Sequence, residues 1–170
     1  MSFCALFSAP FSMFSSPLLS LVDFVTAPNI QQRIPTLAGV KYIDPDMTTL
    51  IKATGAAKDS FVFFNNDPLL AGMAAGSMGA ISYTTIFPYV SHMRAAFEAN
   101  DMATARDLQR TIFFYDDIVG KYGGKPAARV LPQLFGGFTM GPPRAPLVEI
   151  SPSDLIGLNA SLVAAGFMPD

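Results

Sequence analysis

The sequence predicts an α/β fold in which a short parallel sheet gives way to a helical C-terminal region. Apolar runs of strand length stand at residues 37–43, 60–64 and 78–83, with apolar helical stretches between them. Alternation of this kind is the rhythm of βαβ units. Two of the intervening loops repeat one device, a capping side chain directly before proline, at Asp44-Pro45 and Asp67-Pro68. From Phe87 onward the apolar spacing is helical throughout.

Taken in order, residues 1–20 are apolar and serine-rich without a clean period, with an extended piece expected over 9–14, a helix over 18–25 and a loop over 28–35. The run 37–43, bounded by Pro35 and Asp44-Pro45, reads as a strand buried on both faces. Asp44 then caps a helix over 45–54, with Pro45 at its first position and Gly55 at its end. Residues 60–64 are rich in strand formers. A helix over 68–75 closes at Gly76, and 78–83 is the third strand. Helices follow over 88–100 and 102–122, the second presenting Leu108, Ile112, Tyr115 and Val119 on one face. Gly123-Gly124 breaks it. A helix over 126–135, a Gly/Pro-rich connection over 136–146 and a last helix opened by Ser151-Pro152-Ser153-Asp154, a capping-box pattern, complete the chain near Ala165.

Composition narrows the function classes. The chain has 170 residues, 51% hydrophobic and only 14% charged, which argues for an extensive core or for surface buried against partners. A net charge of −2 with scattered basic residues leaves no nucleic-acid footprint. Cys4 is the lone cysteine and His92 the lone histidine, so a Cys/His zinc site and a His-based triad are excluded on inventory, and no metal or cofactor is expected. Residues 1–22 and 68–91 lack charge, yet the first contains Pro10, Pro17 and six serines and the second three glycines. The expectation is a protein without a membrane span.

Lys41, in the middle of the first strand, is the residue around which a function is read. Burial disfavours an ammonium ion and makes the neutral amine available as a nucleophile toward a carbonyl carbon. The chemical reading is a Schiff-base lysine. The structural reading is a stem packed in the sheet, its head at an edge or paired with Asp44 or Asp46. Sequence spacing alone leaves both open.

Four collinear stretches add a resemblance. Ile34-Pro35-Thr36-Leu37-Ala38-Gly39-Val40-Lys41-Tyr42-Ile43-Asp44-Pro45-Asp46, the segment from Leu69 through Ile81, Ala96-Phe97-Glu98-Ala99-Asn100-Asp101, and Met140-Gly141-Pro142-Pro143-Arg144-Ala145-Pro146-Leu147 resemble N-acetylneuraminate lyases. These lie within the pyruvate-dependent class I aldolases, a group that includes dihydrodipicolinate synthases. The resemblance implies a (β/α)₈ barrel followed by C-terminal helices. A complete barrel takes roughly 250 residues, so a partial TIM barrel is expected, about strands 5 or 6 to 8. Residues 1–86 would be the barrel segment, and 87–170 the last barrel helix with the helical extension.

Residue by residue, the resemblance implies that Lys41 is the Schiff-base lysine. The family's proton-shuttling tyrosine aligns with Phe14, which has no hydroxyl, and a substrate-contacting Thr or Ser aligns with Ile43. The sugar-binding turn aligns with Phe64-Asn65-Asn66-Asp67, where Asn66 and Asp67 either bind a polyol or cap the helix ahead of Pro68. Tyr83 stands at a substrate-contacting serine with Thr84 beside it. A core aromatic at a strand end is the plainer reading of Tyr83. The implied activity is cleavage of N-acetylneuraminate to N-acetylmannosamine and pyruvate by a cytoplasmic homo-oligomer acting on a small-molecule 2-keto acid or sialic acid. The alternatives are a catalytically impaired or truncated homologue that acts by association with other subunits, and a dihydrodipicolinate synthase-like aldolase.

Overall fold

The structure is a computed structural model and describes residues 2–7, 13–14, 34, 36–43, 46–57, 62–65 and 68–168. Among them the strands are β1 (Ser2–Phe7), β2 (Met13–Phe14), β3 (Leu37–Ile43), β4 (Val62–Asn65) and β5 (Gly79–Ala80). The helices are α1 (Met47–Ala57), α2 (Leu69–Ala74), α3 (Phe87–Glu98), α4 (Met102–Lys121), α5 (Lys125–Gly136) and α6 (Pro152–Ala164), with a 3₁₀ turn at Thr84–Ile86. They sort into two units, Met1–Ser82 with Met93–Ala105, and Tyr83–His92 with Arg106–Asp170. The helix expected over 18–25, the cap Asp44 and the candidate binding residues Asn66 and Asp67 lie outside the described residues.

The first unit holds one sheet in the order β2-β1-β3-β4-β5. Strands β3, β4 and β5 are parallel, as the alternation of strand and helix predicts, with Val40 opposite Phe63, Lys41 opposite Phe64, and Phe64 in turn opposite Gly79. The edge next to β3 differs from the sequence expectation. There β1 pairs antiparallel to β3, Cys4 opposite Lys41, and Phe14 lies in β2, antiparallel to β1 and one strand removed from β3. Phe14, which the resemblance aligns with the family's proton-shuttling tyrosine, is therefore not on the strand next to β3.

Two element ends also depart from expectation. Helix α1 runs through Gly55 to Ala57. A glycine inside a helix costs only about 1 kcal/mol, and burial of Leu50 and Ala53 offsets it. Thr54 ties the same turn to the loop after α2 through a 2.7 Å bond from its hydroxyl to the Ala75 carbonyl. Strand β5 is limited to Gly79–Ala80, because Tyr83 already begins the 3₁₀ turn, where the Ile86 amide donates to the Tyr83 carbonyl. Arg94 supports the start of β5 by donating to the Met78 carbonyl at 2.7 Å while pairing with Glu98.

Helix α3 ends on Asn100, whose φ of 61° is left-handed, and the Asp101 amide closes the end on the Ala96 carbonyl. Asparagine tolerates that conformation better than other side-chain-bearing residues. Asp101 then caps α4 by accepting from the Thr104 amide. In the second unit, Ile112, Tyr115 and Val119 of α4 are buried, together with Ala127 and Leu131 of α5 and Leu158 and Leu162 of α6. The capping pattern at α6 is realised: the Ser151 hydroxyl accepts from the Asp154 amide and bonds the Asp154 carboxylate at 2.7 Å.

Candidate active site

Lys41 lies mid-strand in β3, flanked by two fully buried neighbours, Val40 and Tyr42. Alternation along a strand sends those two side chains to one face and Lys41 to the other. On its face the Tyr42 hydroxyl donates to the carbonyl of Asp46, the residue just ahead of α1 (3.0 Å). Lys41 is half-buried on the opposite face.

Asp46 stands just ahead of α1 and anchors its start. The Asp46 carboxylate accepts from the Thr48 and Thr49 amides at 3.0 and 3.2 Å and from the Thr49 hydroxyl at 2.6 Å. Thr49 is the main reason the Asp46 carboxyl titrates below its ordinary value. Asp46 thus caps α1, two residues later than the Asp44 cap expected from the Asp-Pro pair. An Asp three residues ahead of a Thr, at the start of an apolar helix, is the signal that could have found it.

Tyr83 and Thr84 belong to the second unit. Thr84 is exposed at the start of the 3₁₀ turn, while Tyr83 packs its ring against Tyr115 with centroids 6.4 Å apart. Thr85 and Tyr115 share a 2.6 Å hydrogen bond, and Phe167 stands edge-on to the Tyr115 ring at 5.0 Å. Burial drives the Tyr115 phenol up to about 12, against the opposing pull of the Thr85 hydrogen bond. Sequence reasoning found Tyr115 as a core position but not this cluster, since nothing local in the sequence pairs residues thirty apart.

A third arrangement organises the Gly/Pro-rich loop. Arg129 on α5 donates from Nη2 to the carbonyls of Met140, Gly141 and Pro142 at 3.1–3.3 Å. Gln133 accepts from the Met140 amide, and a cleft of about 350 Å³ lies between α5, this loop and the start of α6. Arg129 is thereby committed to main-chain carbonyls. Among the described residues no cluster of His, Cys, Asp or Glu could hold a metal ion.

No family model matches the chain. The N-acetylneuraminate lyase of Gallus gallus is 32% identical over 78% of this chain and 45% of its own length. The 4-hydroxy-tetrahydrodipicolinate synthase of Mycolicibacterium paratuberculosis is 30% identical over 79% of the chain and likewise 45% of the relative. Among solved structures, Proteus mirabilis N-acetylneuraminate lyase superimposes with a TM-score of 0.75 at 23% identity, covering 88% of this chain and 51% of the other. The chain spans about half the length of the proteins it matches.

Proposed function

Because this chain is similar to N-acetylneuraminate lyases over about half of their length, we propose that it takes up a 2-keto acid as an imine on Lys41. The placement of Lys41 carries this reading: mid-strand in β3, beside the parallel strand β4, half-buried, on the face turned away from the Val40 and Tyr42 side chains. The neutral amine adds to the C2 keto carbon, and the carbinolamine loses its oxygen as water to leave a protonated imine. With a sialic acid, breaking the C3–C4 bond sends its electron pair into that imine and forms an enamine, while a base takes the C4 hydroxyl proton. Protonation of the enamine at C3 and hydrolysis release pyruvate and restore the amine. The other product is N-acetylmannosamine.

Phe14 stands where the resemblance places a proton-shuttling tyrosine, and a phenyl ring moves no proton. Imine formation without efficient cleavage follows. That substitution favours a second reading, a catalytically impaired relative that acts by association with other subunits. Exposed apolar residues such as Val148 and Ile156 suit such a role. The resemblance to the pyruvate-dependent aldolases makes pyruvate the 2-keto acid common to both readings, released by a lyase and taken up by a synthase. The resemblance alone supports Asn66 and Asp67 as polyol contacts and Tyr83 and Thr84 as further substrate contacts. It likewise supports residues 1–86 as strands 5 or 6 to 8 of a barrel, 87–170 as its last helix and extension, and a cytoplasmic homo-oligomer. Among the described residues no helix is long and apolar enough to cross a membrane.

Borohydride reduction in the presence of pyruvate, followed by peptide mass analysis, tests the reading. A reduced adduct on the Lys41 peptide that is absent from Lys41→Ala is the expected outcome. Folded protein that yields no adduct sinks it.

A further inference from the structure

We infer that Tyr42 is a positioning residue for Lys41: its hydroxyl, bonded to the Asp46 carbonyl, locks the end of β3 so that the lysine amine is held toward the opposite face. This deepens the Lys41 reading and rests on it. The pairing of β3 with β4 runs from Gly39 to Tyr42, so the ladder on that side stops one residue past Lys41. On the other side β1 pairs through Ile43, so past Tyr42 the β4 side of the strand end is held by the Tyr42 side chain in place of a ladder. The Tyr42 ring is 1% exposed and turns about only two bonds, so a hydrogen bond at its tip resists rotation of the strand about its own axis. Rotation there would swing the adjacent Lys41 as well, because neighbouring residues of a strand are fixed on opposite faces.

The anchor at the far end is firm. The Asp46 carbonyl accepts not only from Tyr42 at 3.0 Å but also from the Leu50 amide, and the Asp46 carboxylate is gripped by Thr48 and Thr49. Strand end and helix start are thus clasped by one phenol across three intervening residues. A nucleophile presented in a fixed direction reacts faster than one that must find its orientation, without binding the carboxylate of its substrate any better.

Borohydride trapping at varied pyruvate concentration tests this with Tyr42→Phe, which keeps the ring and removes the hydroxyl. Loss of one net hydrogen bond corresponds to about a fivefold slowing of trapping at saturating pyruvate. Half-saturating pyruvate should stay as in the wild type. Ser151→Ala, which removes a helix cap in the other unit, serves as a control for destabilisation alone and should trap at the wild-type rate. If Tyr42→Phe folds poorly, Asp46→Ala loosens the same anchor and should slow trapping in the same assay. Trapping by Tyr42→Phe at the wild-type rate, or equal slowing in Ser151→Ala, overturns the positioning role while leaving Lys41 as the nucleophile. A wild-type protein that gives no adduct overturns the Lys41 reading, and the positioning role with it.

Discussion

A buried phenol needs a partner, and the consequence of removing it depends on which side is cut. Tyr115 is fully buried and meets the half-buried Thr85 hydroxyl at 2.6 Å. Thr85→Val would leave the phenol oxygen buried without its bond, a loss of about 1–3 kcal/mol. Tyr115→Phe leaves only the more accessible threonine hydroxyl and should cost about 1 kcal/mol or less. Urea unfolding of both variants checks the asymmetry, and equal losses would contradict it. Lys41 was legible as a candidate because a lone lysine inside an apolar run stands out by itself. Tyr42 was not, since an aromatic residue in the same run signals only burial until its hydroxyl is seen to reach Asp46.

Helix α6 shows how far element-level reading extends. Its start is written in Ser151-Pro152-Ser153-Asp154, and the structure uses each part of that signal. Its middle is not written anywhere. Gly157 sits against the Tyr122 ring, where an added Cβ would come within 2.6 Å of a ring carbon, and the ring is pinned by a 2.8 Å bond between its hydroxyl and Ser161. Gly157→Ala should lower the urea midpoint, and adding Tyr122→Phe, which frees the ring to shift, should recover part of the loss. Purely additive effects of the two changes would count against the clash. The same limit explains α1. Gly55 looks like a terminator in isolation, but packing of Leu50 and Ala53 and the Thr54 bond to Ala75 outweigh a glycine's modest helix penalty.

At the scale of the molecule, stability should depend on pH at both ends. The carboxyls of Asp46 and Asp101 titrate below their ordinary value of 3.8, chiefly through hydrogen bonds from Thr49 and Thr104. Their contribution is present above 3.8 and is lost as pH falls through the lowered folded-state values. Tyr115 runs the other way: raised by burial from 10.0 to about 12, it contributes fully below pH 10, and that contribution is lost as pH rises through about 12. Urea midpoints measured across pH should form a plateau with an acid limb and an alkaline limb. Asp46→Asn with Asp101→Asn should flatten the acid limb, and an unchanged limb would remove these two caps from its cause.

The sequence by itself determined the alternation of strand and helix, the parallel order of β3, β4 and β5, the helical second half, the α6 cap and the mid-strand place of Lys41. Each is set by near neighbours: apolar period, capping side chains, and the residues that start or stop a helix. Only the tertiary structure decided that β1 joins β3 antiparallel and that the Tyr42 hydroxyl finds the Asp46 carbonyl. It alone also joined Tyr115 to Thr85, thirty residues away, and Tyr122 to Ser161, thirty-nine away. Contacts of that reach depend on which surfaces meet once the elements have packed, and no local pattern encodes them.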